Sequence, residues 1–145
     1  MKAENNIIDP ANPQKITFNK SVEFKTVHFQ YEEQEVLSDI NLVIEKGKSI
    51  ALVGHSGGGK STLADLLPRF YDVTKGEILV DGTDIRNVTL SDLRSLIGVV
   101  TQESVLFNDS VLNNICFGGN YTKEAVIDGE VFHVCKVQCV KQGLT

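Results

Sequence analysis

Nine consecutive residues combine four glycines with a lysine and three hydroxyl side chains. They read Gly54-His55-Ser56-Gly57-Gly58-Gly59-Lys60-Ser61-Thr62. Backbone amides can converge on a polyphosphate only where side chains leave the way clear, and glycine allows this. The lysine adds a full positive charge against the β- and γ-phosphates, and the hydroxyl after it is a hard oxygen suited to Mg²⁺. This segment therefore predicts a site for a triphosphate with magnesium.

The spacing and the flanking sequence support this interpretation. The first eight of these residues fit the pattern G-x-x-x-x-G-K-[ST], in which Lys60 and Ser61 are the fixed polar positions. Thr62, which follows the pattern, can donate to the α-phosphate. A short apolar strand is predicted over residues 49–53 just before the loop. A helix is predicted just after it, because Leu63 and its successors have helical spacing. The amino terminus of that helix would favour an anion.

The elements that must position this loop alternate between strands and helices. Residues 22–31 predict a strand with one irregularity at Thr26-Val27, and Asp81-Gly82 predicts a tight turn. Further strands are expected over 39–44, 77–80 and 98–101, and helices over 63–70 (limited by Pro68), from Thr89, over 111–115 and over 122–140. The sequence therefore predicts an α/β domain, with residues 1–20 as a linker.

Composition excludes several classes of protein. The chain has 145 residues and a formal net charge of -5, without the basic excess typical of nucleic-acid binders. No apolar run reaches the roughly 18 to 20 residues that a membrane helix needs, and the amino terminus does not resemble a signal peptide. Three cysteines, Cys116, Cys135 and Cys139, fit buried helical thiols better than a disulfide framework or, with His133, a metal site.

The loop by itself leaves the reaction open. The strings Asp-x-x-Gly and Asn-Lys-x-Asp, which guanine-specific switch proteins need, do not occur. A phosphotransferase acting on a small molecule remains an alternative, although Arg69, Arg86 and Arg94 are too scattered to suggest its lid. A non-catalytic interaction module with a vestigial nucleotide site is a second alternative.

Six blocks in order resemble the nucleotide-binding domain of ATP-binding-cassette (ABC) transporters. The resemblance is to exporters, particularly the lipid flippase (lipid A exporter) type of bacteria, and it runs from about Val22 to Gly118. The blocks are Val27-His28-Phe29-Gln30-Tyr31, Val36-Leu37-Ser38-Asp39-Ile40-Asn41-Leu42, Gly47-Lys48-Ser49-Ile50-Ala51-Leu52-Val53-Gly54, Leu66-Leu67-Pro68-Arg69-Phe70-Tyr71-Asp72, Gly76-Glu77-Ile78-Leu79-Val80-Asp81-Gly82 and residues 99–111.

This resemblance implies a P-loop NTPase core with an N-terminal antiparallel β meander and the start of a helical subdomain, truncated before the Walker B strand. The implied domain covers residues 21–145, with the meander and P-loop core over 21–102 and the helical subdomain beginning at 103. The implied ligands are ATP and Mg²⁺. Tyr31 resembles the aromatic residue that stacks on adenine, and Gln102 resembles the Q-loop glutamine that reaches Mg²⁺ or the attacking water.

The resemblance also implies partners and a location. The region after Gln102 would meet the transmembrane domain of the parent transporter, and a second nucleotide-binding domain would complete a homodimer. The parent would place this domain at the cytoplasmic face of the inner or plasma membrane, while the chain itself is expected to be soluble. An intact parent would hydrolyse ATP to drive export, with lipid as the expected cargo.

Several parts of the family pattern are missing from these 145 residues. We find no Leu-Ser-Gly-Gly-Gln signature, no Walker B Asp-Glu pair and no later switch histidine. Two strings imitate Walker B, ending in Asp81-Gly82 and Asp128-Gly129, but glycine stands where the glutamate belongs. The expectation is therefore ATP binding without turnover. Without its neighbouring strand, residues 50–53 would also have an unpaired edge, which predicts low stability or a dimer.

Overall fold

A computed structural model describes residues 7–100, 108–115, 124 and 135–138. The chain divides into two units, residues 1–97 and residues 98–145. In the first, the elements are β1 (Ser21–Tyr31), β2 (Gln34–Glu45), α1 (Lys60–Leu66), β3 (Lys75–Val80), β4 (Thr83–Asp84), a 3-10 turn (Ile85–Asn87) and α2 (Leu90–Ser95). Strand β5 (Ile97–Val100) crosses the boundary, and α3 (Val111–Ile115) and β6 (Cys135–Gln138) follow. Among the described residues, no helix is long and apolar enough to span a bilayer.

The first unit is built on a four-stranded antiparallel sheet in the order β2-β1-β3-β4. Strands β1 and β2 form a hairpin that pairs Tyr31 with Gln34 and Ser21 with Glu45. Strand β2 begins five residues before the predicted 39–44, because the register continues to the turn at 32–33. The predicted antiparallel meander is confirmed, although its third strand is Lys75–Val80.

The irregularity predicted at Thr26-Val27 is a β-bulge. The register of β1 slips between Phe24 and Val27, and Thr26 has φ 48°, with its amide donating to Oδ1 of Asn41 at 2.9 Å. Gly76 of β3 lies against this bulge, where a Cβ would collide with the carbonyl oxygen of Thr26. The third strand therefore needs glycine at this position, since any side chain would displace the bulged backbone.

The core of this unit draws on the sheet, on α1 and on the segment after β4. Leu66, Val27, Val88 and Leu93 have 0% exposure, and Ile78 has 1%. Helix α1 begins at Lys60, three residues before the predicted 63–70, and it ends at Leu66, two residues before Pro68. Buried apolar side chains thus hold the helix that follows the glycine-rich loop to the β meander.

Two predicted local signals are confirmed by their geometry. Asp81 and Gly82 have φ 50° and 83° and form the two-residue turn between β3 and β4. Thr89 caps α2, because its hydroxyl accepts the amide of Asp92 at 3.1 Å.

The strand predicted over residues 49–53 is not formed. These residues have no strand conformation, and Ile50, Leu52 and Val53 are 44%, 37% and 79% exposed. A strand buried inside a parallel sheet needs paired neighbours and cover on both faces. No strand among the described residues pairs with this segment, so its β-branched composition is insufficient to make it a strand.

The helix predicted over residues 122–140 is wrong at residues 135–138. They form β6, which pairs with β5 in a two-stranded sheet. Apolar Cys135 and Val137 alternate with Lys136 and Gln138, which is the period of a strand. Cys135 is therefore in a strand and not on the expected helix, while Cys116 and Cys139 lie outside the described residues. The predictions of a strand near 98–101 and a helix over 111–115 are confirmed at Ile97–Val100 and Val111–Ile115.

Candidate phosphate-binding site

The glycine-rich loop turns tightly between residue 53 and α1. Gly57 and Gly59 have φ 81° and 75°, a conformation that L side chains rarely adopt. The amide of Gly58 donates to the carbonyl oxygen of His55 at 3.2 Å, and the amide of Leu63 donates to the carbonyl oxygen of Gly59 at 2.8 Å. The loop is therefore a compact turn up to Gly59, which has a left-handed conformation and is the N-cap residue of α1.

Gly59 is fixed by its closeness to β2 as well as by its φ. A Cβ at Gly59 would lie 2.7 Å from Cδ2 of Leu37 and 3.1 Å from the carbonyl oxygen of Val36. Leu37 is buried, so it has little room to move aside. The β1–β2 hairpin thus supports the end of the loop at which α1 begins.

The ammonium of Lys60 folds back over the loop. Its Nζ donates to the carbonyl oxygens of Gly54 at 2.9 Å and His55 at 2.6 Å. A lysine ammonium carries three hydrogens, so two are directed at the start of the loop. Among residues 7–100, no carboxylate forms an ion pair with Lys60, and its charge remains available to an anion.

The two hydroxyl residues after Lys60 differ in surroundings. Ser61 is exposed on the first turn of α1, while Thr62 is 9% exposed. Ser61 can therefore present its oxygen to a hydrated cation, whereas the Thr62 side chain interacts with the phenolic hydroxyl of Tyr31 and acts to lower its pKa.

Tyr31 belongs to a cluster of three aromatic rings. Its centroid lies 4.8 Å from that of Phe29 and 5.3 Å from that of Tyr71, and both ring pairs are perpendicular, at 89° and 88°. The Phe29 and Tyr71 centroids are 5.6 Å apart. Burial raises the pKa of Tyr31 against the opposing effect of the Thr62 hydroxyl. Tyr31 still has 38% of its surface exposed, and that surface is available to a ligand.

Sequence reasoning missed Tyr71 and Asp65 at this place. Asp65 lies on α1 near Tyr31, and burial raises the pKa of its carboxyl group. Tyr71 stands in one of the six resembling blocks, but nothing in its spacing connects it with a residue 40 positions earlier. An apolar run followed by an aromatic pair, Phe70-Tyr71, was the only available signal.

The structure brings most predicted residues together and leaves others untested. The loop from Gly54 to Thr62 is contiguous, and Tyr31 joins it through Thr62. Gln102 and Asp128 lie outside the described residues.

The first of the two strings that resemble Walker B, which ends in Asp81-Gly82, has a structural role. Asp81 accepts the backbone amides of Asn19, Lys20 and Ser21 at 2.5, 2.8 and 3.0 Å. Burial alone would raise the pKa of Asp81, but these three donors lower it below its usual value. The carboxylate thus attaches the start of β1 to the β3–β4 turn.

Comparison with known proteins gives the same picture as the motifs. The ABC transporter family matches residues 37–141. The ATP-dependent lipid A-core flippase of Syntrophus aciditrophicus is 51% identical over 109 residues, which are 75% of this chain and 18% of that protein. The heavy metal tolerance protein of Schizosaccharomyces pombe is 52% identical over 123 residues, or 84% of this chain and 14% of that protein.

A solved structure agrees with these relatives. It is a bacterial Atm1-family ABC exporter with ATP bound, which superposes with a TM-score of 0.79 and 41% identity over 88% of this chain and 23% of that one. The chain thus spans less than a quarter of each protein it matches here. The predicted resemblance to exporters is confirmed, and the chain belongs to the ABC transporter family, with the sequence of an exporter's nucleotide-binding domain.

Proposed function

We propose that the loop from Gly54 to Thr62 binds ATP with Mg²⁺. The observation that carries this proposal is the position of Lys60, whose ammonium lies over the loop at 2.9 and 2.6 Å from two of its carbonyl oxygens. A cation held there, above backbone amides that glycines leave uncovered, suits the β- and γ-phosphates.

The two ends of the site would bind different parts of ATP. Tyr31, with its exposed surface, would stack on adenine, an interaction of about 1–3 kcal/mol by analogy with other base–aromatic pairs. Thr62 would contact the α-phosphate, and its interaction with the Tyr31 hydroxyl supports a site in which the base and the α-phosphate lie at the same end. The amides of Gly57 and Gly59 would hold the other phosphates, and the amide of Gly58 would join them on leaving the carbonyl oxygen of His55.

Magnesium would be held by the exposed Ser61 hydroxyl and by Gln102, together with phosphate oxygens. Mg²⁺ prefers hard oxygen ligands and often binds through one or two protein groups plus substrate phosphates, which fits Ser61 and Gln102 as its two protein ligands. When bound, the ion neutralises charge on the terminal phosphates. Ser61 needs only to present its oxygen, and its place on the first helical turn fixes that orientation.

We infer that these 145 residues bind ATP but do not turn it over. Hydrolysis needs a group that orients water and donors on the far side of the γ-phosphate. The sequence contains neither the Walker B glutamate nor the signature that would supply them, and Asp81, which resembles part of Walker B, is engaged by three backbone amides.

The parent protein would couple ATP hydrolysis to export. We propose lipid as the cargo, because several similar proteins are lipid A-core flippases. The region after Gln102 would meet the transmembrane domain, and a second nucleotide-binding domain would complete a homodimer at the cytoplasmic face of the membrane. We also propose the division into a linker (1–20), a P-loop core (21–102) and a helical subdomain from 103.

Calorimetric titration with ATP and Mg²⁺ tests the binding. We expect saturable binding by the chain and its loss in Lys60→Ala, while Lys48→Ala, which removes an exposed charge from the turn before the loop, should bind as the unmodified chain does. Equal affinity in Lys60→Ala would refute the proposal. Absent binding in a folded chain would favour an interaction module with a vestigial site.

A further inference from the structure

The segment before β1 is attached along the first unit. We call its residues 9–20 the strap. At the start of the strap, Oδ1 of Asp9 accepts the backbone amide of Leu90 at 2.8 Å, across 81 positions of sequence. Near its middle, the amide of Gln14 donates to the carbonyl oxygen of Asn87 at 2.8 Å. The strap therefore runs along the 3-10 turn and the start of α2.

The other end of the strap is held by more contacts. Asp81 accepts the amides of Asn19 and Lys20, and the carbonyl oxygen of Lys20 accepts the amide of Lys46 at 2.6 Å. The ammonium of Lys46 also lies 6.0 Å from the ring centroid of Phe18. Because several backbone contacts hold this end and one side chain holds the start, the strap should come away from the Asp9 end first.

The composition of the strap suits a segment that can dock and release. Pro10 and Pro13 have a fixed φ and restrict the residues before them to extended backbone, so the released strap gains less conformational freedom. Docking buries little surface, because Asp9 and Gln14 remain exposed and the neighbouring Ile8 is 78% exposed. Contacts between exposed groups contribute little individually, so a modest displacement of the chain can break the one at Asp9.

Asp9 also completes the capping of α2. The first amides of a helix have no partners within it, and a carboxylate near them interacts favourably with the helix dipole. The hydroxyl of Thr89 accepts the amide of Asp92 at 3.1 Å, and Asp9 accepts that of Leu90, the first helical residue. Since α2 has only six residues, its order depends strongly on these two caps.

We propose that the strap is a releasable latch on α2. Docking of Asp9 orders the start of the helix, and displacement of the chain before Asp9 withdraws the carboxylate and loosens it. Helix α2 and β5 precede Gln102 in the sequence, so the latch links the segment before β1 with the stretch that leads to Gln102. Such coupling is reciprocal, so loosening α2 also releases the strap. The latch goes beyond the proposed function and needs no nucleotide.

Hydrogen exchange of backbone amides, followed by NMR on the ¹⁵N-labelled chain without nucleotide, tests the helix end of the latch. Asp9→Ala should speed exchange of the Leu90 amide roughly three- to tenfold, as expected for the loss of one exposed hydrogen bond to a charged group. Asp9→Asn keeps an accepting oxygen and should lie between the two. Glu33→Ala, which removes an exposed carboxylate from the β1–β2 turn, should change nothing. The amide of Ile78, in the core, should exchange equally in all variants and so confirm that they are folded.

Limited proteolysis with trypsin tests the strap itself. Cleavage after Lys15, next to the Gln14 contact, reports release, and it should be at least roughly threefold faster in Asp9→Ala. Thr89→Val removes the cap within α2 without altering the strap, and it should speed this cleavage as well.

Two results would overturn the latch. One is an unchanged exchange rate of the Leu90 amide in Asp9→Ala. The other is a Thr89→Val variant in which the Asp92 amide exchanges faster while cleavage after Lys15 keeps the rate of the unmodified chain. Because both measurements are made without nucleotide, neither result affects the proposed function, and failure of the chain to bind ATP would leave the latch intact.

Discussion

A Cβ at Gly59 would lie 2.7 Å from Cδ2 of Leu37, so β2 and the end of the glycine-rich loop are in van der Waals contact. Leu37 lies in the hairpin that carries Tyr31, and Gly59 precedes Lys60. One contact thus joins the strand pair that would hold the base to the loop that would hold the phosphates. A substitution in either the hairpin or the loop should therefore affect the binding of both the base and the phosphates.

Substitution of Gly59 by alanine should therefore destabilise the fold as well as weaken binding. The new methyl group meets Leu37 and Val36, and φ of 75° is unfavourable for alanine. We expect a loss of about 1–3 kcal/mol in the free energy of unfolding, measured by urea denaturation. Gly54→Ala is the matched control, because a Cβ there meets nothing within 4 Å. Equal stability of the two variants would contradict the packing described for Gly59.

Asp81 should make stability depend on pH in the acid range. Its pKa is lowered in the folded state, so its contribution is present above the unfolded pKa of about 3.9 and is lost as the pH falls through the folded value. Asp81→Asn should cost about 1 kcal/mol near pH 7, allowing for solvent screening of this partly exposed group.

This difference should disappear at the acid end of a denaturation series from pH 7 to pH 2. Glu33→Gln, which neutralises an exposed carboxylate in the β1–β2 turn, should follow the unmodified chain at every pH. An Asp81→Asn curve parallel to that of the unmodified chain would show that the three amide contacts contribute no pH dependence.

Tyr71 should hold the ring of Tyr31 in place for the base. Tyr71→Leu removes one of the two perpendicular ring contacts of Tyr31, and we expect a cost of about 0.5–1.5 kcal/mol in ATP binding. Tripolyphosphate binding should be unchanged, since it has no base. Tyr71→Phe keeps the ring and should retain affinity. A similar loss for both ligands in Tyr71→Leu would indicate general unfolding and not a positioning role.

Exposed apolar residues before the loop should cause self-association. Val53 is 79% exposed in a segment that has no strand partner among the described residues. We expect concentration-dependent sedimentation of the chain, and a reduction of it in Val53→Lys. Val43→Lys is the control, because Val43 is 58% exposed on a strand already paired with β1. A monomer at all concentrations would contradict this prediction.

Local signals predicted local structure well. The slip at Thr26, the pair Asp81-Gly82 and the cap at Thr89 each appear where the residue types require them, because turn and cap preferences depend on a few neighbouring atoms. The glycine-rich loop was predicted for the same reason, and α1 begins at Lys60 directly after it.

Features that depend on distant parts of the chain could not be predicted in this way. Residues 49–53 have strand composition, but their state depends on partners elsewhere. Residues 135–138 alternate in polarity over too short a run to outweigh a helical context. The ring contact between Tyr31 and Tyr71 follows from packing alone. The glycine after Asp81 argues against a Walker B aspartate, but nothing in the sequence predicts that its carboxylate accepts three backbone amides.

The most direct test of the central claim is an NMR titration of ¹⁵N-labelled chain with ATP and Mg²⁺. If the loop holds the phosphates, the amide signals of Gly57, Gly58 and Gly59 should show the largest shifts and saturate together, and the Lys60→Ala variant should show none of them. Saturating ATP that leaves these three signals in place, or that shifts amides elsewhere instead, would contradict the account.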